Sequence, residues 1–151
     1  MKTKLEIGCG QFKKELKQED TIYLDIRPFE NIDIVRDIEK GLPFADETFE
    51  YIKAHHVMEH LKDLIFVMNE CWRVLKPGAT LDIEVPVGQN AWIDPTHIRG
   101  FTVNSFNFFL IKDFNSWNSG VVGYFDVKEI LHKGESEDDI RGLQFLLVKK
   151  V

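Results

Sequence analysis

An α/β sandwich is the architecture this sequence predicts, with a mostly parallel seven-stranded sheet, few helices and an antiparallel hairpin at its C-terminal end. Three observations carry that expectation. Short segments of β-type composition recur from residue 4 onward with loop-like or helical connections between them, one stretch has strong helical apolar spacing, and two strand-like segments flank an acidic loop near the C-terminus.

"TKLEIGCG" alternates Leu5 and Ile7 with polar neighbours until two glycines stop it, which reads as a strand entering a tight turn. "QFKKELKQED" has helix-forming composition but leaves room only for a stubby crossover helix before "TIYLDI", the second strand. "IDIVRDI" is expected as a third strand, left through "EKGLPFADETF", where no helix is evident, and "FEYIKAHH" as a fourth. From 62 to 75, Leu64, Val67, Met68, Cys71 and Leu75 form the stripe of a core-facing helix, and "KPG" at 76–78 is expected to end it. "TLDIEVP" is the fifth strand. Residues 87–103 have no clear period and mark a long ordered loop; "NSFNFFLIKDF" is a plausible helix capped by Asn104 or Ser105. "GYFDVKEILHK" and "LQFLLVKKV", joined by "GESEDD", complete the sheet as a hairpin. No repeat or domain boundary interrupts residues 1–151, so one domain is expected.

The formal net charge is −6, from 25 acidic against 19 basic side chains, which argues against nucleic acid as a partner. Two cysteines, Cys9 and Cys71, provide neither a disulfide framework nor a thiolate zinc pair and suit a reducing compartment. The opening residues carry no apolar leader and no later run is long enough for a membrane span, so a cytoplasmic protein without membrane association is expected.

In a mostly parallel sheet, ligands bind beyond the carboxyl ends of the strands, which directs attention to 8–10, Asp25, Asp37, 55–60 and 86 onward. Gly8 and Gly10 would let a ligand lie against bare backbone, and Asp25 at a strand end could accept hydrogen bonds from ribose hydroxyls or serve as a turn residue before Pro28. "HHVMEHL" at 55–61 also spells H-x-x-E-H through His56, Glu59 and His60, an inverted zinc-peptidase signature. A third ligand is nominally available among Glu129, Glu135 and Glu137. The stretch straddles a strand end and a loop, however, so the two imidazoles need not share a helical face, and no metal is expected.

"LEIGCG", "YLDI", "VRDIEKGLPFADETFEYIKAHHVMEHL", "CWRVLKPGATLDIEVP" and "DPTHIRGFT" follow one another in order. In this the chain resembles the class I S-adenosylmethionine-dependent methyltransferases, in particular a compact, type 11-like branch, strongly over about residues 4 to 102. The resemblance implies a Rossmann-like methyltransferase fold, S-adenosylmethionine as cofactor, and a cofactor site made of Glu6, Gly8, Cys9, Gly10, Asp25, Ile26, Asp37, Ile38 and His55. In it, Asp37 and Ile38 would receive the adenine, Glu6 would face the cofactor's amino group, and His55 would sit beside the cofactor. His56 is a candidate base toward a small-molecule or protein acceptor, and Asp94 with His97 a second candidate catalytic pair, the carboxylate orienting the imidazole. Structural roles stand beside these: Glu6 as a surface carboxylate, Asp37 as a solvated loop acid, His60 as a loop anchor, and Asp94 with His97 as a loop staple. Trp92, Phe101 and Phe106 are candidates for an apolar substrate slot. The sequence departs from the family in lacking a third glycine after "GCG" and helices before the first strand, so the 87–103 loop, a homodimer mate or a partner chain is expected to cover the cofactor. The alternative function is a cofactor-binding regulatory module without catalysis of its own.

Overall fold

The computed structural model describes residues 2–11, 14–110, 120–135 and 140–150. Seven strands form one sheet: β1 (Lys4–Ile7), β2 (Thr21–Asp25), β3 (Ile34–Val35), β4 (Phe49–His55), β5 (Leu75–Pro86), β6 (Phe125–Gly134) and β7 (Ile140–Lys149). Their order is β3-β2-β1-β4-β5-β7-β6. The pairs from β3 to β5 are parallel, whereas β7 is antiparallel to both β5 and β6. The chain leaves β1 toward β2 on one side and later returns to β4 on the other, so the strand order reverses beside β1. At such a point the connections part and a crevice opens beyond the strand ends.

Among the described residues there is one α-helix, α1 (Leu64–Val74), and it covers one sheet face. Asp63 caps it by accepting from the Phe66 N–H, and Val67, Met68, Cys71 and Val74 are buried. They join Leu5, Ile7, Leu24, Ile52, Ala54, Leu81, Ile83, Phe145 and Leu147 in a single core. The opposite face of β1, β4, β5 and β7 is a polar ladder. Lys53 Nζ donates to Glu6 Oε1 at 3.0 Å, and Asp82 Oδ1 lies 2.9 Å from His55 Nε2 and 2.8 Å from the Gln144 amide nitrogen. The Tyr51 hydroxyl donates to Asp82 Oδ2. Parallel sheets are ordinarily covered on both faces; among the described residues this face carries hydrogen-bonded side chains and no α-helix.

Several expected elements are shorter. Of the stubby helix expected at 11–20, the described residues form a single 3-10 turn (Lys14–Leu16), with residues 12 and 13 outside them; Leu16 is exposed, and none of 11 and 15–20 is buried. β3 stops at Val35 because Asp37 turns inward to cap the next 3-10 turn (Ile38–Lys40). "KPG" does not end the helix, which stops at Val74. Residues 76–78 belong to the long β5, where Phe49 pairs with Leu75 and Tyr51 with Thr80, so the extra residues form an irregularity with Gly78 at φ +75°. Of the helix expected at 104–114, the described residues 104–110 contain a 3-10 turn (Asn107–Phe109), and 111–114 lie outside the described residues, as do 136–139 with Glu137. Phe101 and Phe106 stack with centroids 5.4 Å apart inside the core, and Trp92 is 63% exposed, so these rings form no substrate slot.

Candidate functional site

A cleft of about 670 Å³ opens at the carboxyl ends of β1, β2 and β4, in the size range of ligand sites. Its lining includes Gly8, Asp25, Ile26, Asp37, Ile38 and His56 from the expected set, and Asp94 from the long loop.

The turn after β1 is held from both sides. Gly8 N–H donates to the Leu24 carbonyl at 2.8 Å and Gly10 N–H to Asp25 Oδ2 at 2.9 Å. Both glycines have φ near +60°, a conformation costly for other residues. They differ in surroundings. A Cβ at Gly8 would lie 2.4 Å from Val57 Cγ2, whereas one at Gly10 would meet nothing within 4 Å. Gly8 is thus required by the chain's own packing, in addition to leaving the cleft floor bare.

Asp25 is 3% exposed, and its Oδ1 also accepts from the Arg27 N–H at 2.9 Å. A carboxylate has about four acceptor positions, so two backbone donors leave capacity for hydroxyls arriving from the cleft. Asp37 has a structural task as well: Oδ1 accepts from the Glu39 N–H at 3.0 Å, and Oδ2 lies 3.7 Å from Lys40 Nζ. Ile26 is exposed at the rim, and Ile38 is buried beneath the cleft.

Four expected cofactor residues are not in the cleft lining: Gly10 stays in the turn with its N–H on Asp25, and three others point elsewhere. Glu6 and His55 are on the polar face, paired with Lys53 and Asp82, because Leu5, Ile7 and Ala54 point into the core and strand alternation sends their neighbours the other way. The Cys9 thiol turns away to the Leu24 carbonyl at 3.6 Å, and burial, aided by the charges of Glu6 and Asp25, pushes its pKa up to about 12.

His56 takes φ +54° and sets its ring between two carboxylates, Nδ1 3.5 Å from Glu59 Oε1 and Nε2 3.2 Å from Glu84 Oε1. Glu59, partly opposed by desolvation and aided by Glu84, holds its pKa above the ordinary histidine value. The imidazole therefore keeps its proton to a higher pH than an isolated one. Asp94 does not orient His97 as expected. Its Oδ1 accepts from the Thr96 N–H and hydroxyl at 2.8 and 2.7 Å, while His97 Nδ1 lies 2.9 Å from the Ala91 carbonyl; Asp94 Oδ2 stays 3.9 Å from His97 Nε2. The 87–103 segment is fastened to the cleft wall: Ile98 N–H donates to the Glu59 carbonyl at 3.0 Å, and Arg99 donates to the Leu61 carbonyl at 2.5 Å. Arg27, Arg36, Glu39, His60 and Thr96 line the cleft and were not among the expected site residues. Position after a strand end was the available signal for Arg27, Arg36 and His60; none existed for Thr96, which arrives from a distant turn.

Residues 5–83 match the methyltransferase-domain family, just over half of the chain. The chain belongs to this family, the class I S-adenosylmethionine-dependent methyltransferases, whose cofactor is S-adenosylmethionine. Among individual relatives, it is 32% identical over 53 residues to the demethylmenaquinone methyltransferase of Lysinibacillus sphaericus, covering 35% of this chain and 23% of that protein. It is 35% identical over 52 residues to that of Anoxybacillus flavithermus, covering 34% and 22%. The matched segment thus spans about a quarter of these relatives' length. In fold, the chain superposes on a SAM-dependent methyltransferase from Archaeoglobus fulgidus with TM-score 0.70 at 20% identity, covering 98% of this chain and 86% of that one. The N-methyltransferase NodS from Bradyrhizobium japonicum, solved with S-adenosyl-L-homocysteine, gives TM-score 0.67 at 16% identity, with 97% and 77% covered. A Haloferax volcanii methyltransferase-fold chain solved with the Trm112 activator gives 0.67 at 16%, with 99% and 82% covered. No helix among the described residues is long and apolar enough to cross a membrane.

Proposed function

We propose that this chain is an S-adenosylmethionine-dependent methyltransferase that transfers a methyl group by in-line displacement to a small-molecule or protein acceptor. The observation that carries this is the cleft at the reversal of strand order. There a bare glycine turn, the buried Asp25 carboxylate with unused acceptor capacity, and the Asp37–Ile38 corner follow one another along one wall. The residues fit the cofactor: Asp25 would hold the ribose hydroxyls, the Asp37 and Ile38 corner the adenine, and Gly8 to Gly10 the amino-acid portion.

When bound, S-adenosylmethionine supplies a methyl group already made electrophilic by its sulfonium. This chain's residues then need to align the acceptor, exclude water and accept a proton. His56, Asp94 and Thr96 stand on the cleft wall formed by 56–61 and the stapled loop, where an acceptor would enter. Above its raised pKa, where the ring between Glu59 and Glu84 is neutral, His56 is the side chain placed to take the acceptor's proton.

Calorimetric titration with S-adenosylhomocysteine, with NAD as control ligand, tests the cofactor site. Micromolar affinity for the first and none for the second is expected. Asp25→Asn should weaken it about 10- to 100-fold, the worth of one charge-assisted hydrogen bond. Unchanged affinity in that variant would overturn the assignment. A partner-dependent role has this in its favour: among the described residues no α-helix covers the polar sheet face, and the Haloferax volcanii relative in fold was solved with an activator. Methyl transfer by the isolated chain on any acceptor would dismiss it.

A further inference from the structure

We propose that Glu59, His60 and His97 form a binding site for a divalent transition-metal cation at the acceptor end of the cleft. One ligand atom from each lies within 4.8 Å of the other two. The set joins a carboxylate and an imidazole from the 3-10 turn after β4 to an imidazole from the stapled loop.

The strongest sign is Glu59 itself. It is 0% exposed, and neither carboxylate oxygen has a hydrogen-bond partner. Buried carboxylates are ordinarily paired, hydrogen-bonded or bound to metal, because stripping an anion of water without compensation is costly. The flanking groups face it with lone pairs. His97 Nδ1 approaches the Ala91 carbonyl, which can only accept, so Nδ1 carries a proton and, in the neutral ring, Nε2 holds the lone pair. That bare nitrogen stands 4.0 Å from Glu59 Oε1 and 3.9 Å from Asp94 Oδ2. A cation beside Glu59 and His97 would relieve the mutual repulsion of these lone pairs.

His60 is arranged the same way. The Thr96 hydroxyl gives its proton to Asp94 Oδ1, so at 3.1 Å it accepts from His60 Nδ1–H, leaving His60 Nε2 as the available ligand. Both imidazoles therefore have the tautomer fixed by an outer partner, as metal-binding histidines usually do. The rings meet edge to face with centroids 4.7 Å apart. Ligands at about 2.1 Å from a tetrahedral ion are about 3.4 Å from each other; from separations within 4.8 Å, no pair has to close by more than about 1.4 Å. Exposure of His60 gives an entry path.

Two nitrogens and a carboxylate suit zinc or another borderline ion better than magnesium or calcium, which prefer all-oxygen sites. Asp94 is within reach as a fourth ligand; with three protein ligands, the fourth tetrahedral position would instead open into the cleft. Resting on the methyl-transfer reading, that position would take an acceptor oxygen. The competing occupant of the Glu59 pocket is a protonated His56, whose Nδ1 is 3.5 Å from Oε1 but leaves Oε2 unserved.

The test uses the full chain, stripped with chelator, titrated with Co²⁺ followed by its d–d absorption and with Zn²⁺ in competition. One equivalent of Co²⁺ with the spectrum of nitrogen-containing low coordination is expected, displaced by Zn²⁺ and accompanied by a raised melting temperature. His97→Gln should lower affinity at least tenfold and abolish the melting shift, and Glu59→Gln likewise; His132→Gln, on exposed β6, should bind as the wild type. If the stripped protein gives no Co²⁺ spectrum, or His97→Gln binds as tightly as wild type, the site does not exist. S-adenosylhomocysteine titrated into the stripped wild-type protein reports the cofactor cleft separately, so loss of one result does not carry the other with it.

Discussion

Replacing Gly8 by alanine introduces two separable penalties. Its φ of +65° costs an L-residue about 1–2 kcal/mol. The new Cβ would stand 2.4 Å from Val57 Cγ2, closer than carbon atoms approach, and relief by moving a buried side chain costs about 1–3 kcal/mol. Gly8→Ala should therefore destabilise by about 2–5 kcal/mol. Val57→Ala alone removes two methyl groups from a position 9% exposed and should cost about 1–2 kcal/mol. In the double variant the collision is gone and the dihedral cost stays, so the two effects should fall short of additivity by about 1–3 kcal/mol. Gly10→Ala is the internal control: at φ +61° with nothing within 4 Å, it should cost about 1–2 kcal/mol and add to Val57→Ala without coupling. Urea unfolding of the six proteins at one pH, comparing midpoints at constant slope, provides the assay. Additivity of Gly8→Ala with Val57→Ala within about 0.5 kcal/mol would refute the claim that Val57 is what requires glycine there.

Burial raises the carboxyl pKa of Asp82, and the bonds from His55, Tyr51 and Gln144 more than reverse this, leaving it below the ordinary aspartate value. Being depressed in the folded state, it stabilises above about pH 4 and that contribution is lost as pH falls through the folded pKa; Asp82→Asn should flatten the acid limb of the stability curve, and an unchanged limb would discount the ladder. Lys149 Nζ donates to the Leu75 carbonyl at 2.8 Å and sits 4.1 Å from the Trp72 ring centroid, so Lys149→Met should lower stability by about 1–3 kcal/mol in thermal melts, chiefly by orphaning that carbonyl. Burial pushes both the Cys9 and Cys71 thiols up to about 12, so neither should react with iodoacetamide at pH 8 in the native protein, and both should react in urea; native labelling of Cys9 would show that its turn opens.

Strand positions were legible wherever alternation or apolar composition was strong, as in Leu5–Ile7 and the β5 run, because burial on one face imprints period two on the sequence. The same alternation contained the correction for Glu6 and His55: with Leu5, Ile7 and Ala54 committed to the core, their neighbours had to point to the far face. Composition misled in the connections. "QFKKELKQED" has helical propensity but, among its described side chains, none that is buried, and "KPG" has the chemistry of a helix stop yet lies inside a strand, since pairing with β4 resumes beyond it. Within the site, Gly8, Asp25 and His56 were legible from their places after strands. The joining of Glu59 and His60 to His97 was not, because it depends on a loop fastened through Ile98 and Arg99, contacts with no local sequence signature.

The polar ladder on the sheet face opposite α1 bears on how stability varies with temperature. Unfolding exposes apolar surface, which raises heat capacity, and polar surface, which lowers it. A 151-residue protein of average composition would gain about 1.8–2.3 kcal/mol/K on unfolding. Here Glu6, Tyr51, Lys53, His55, Asp82 and Gln144 occupy positions that a second helical layer would have made apolar. The heat-capacity increment should fall below that range, and the curve of free energy against temperature should be correspondingly broad and shallow, with cold denaturation displaced to lower temperature.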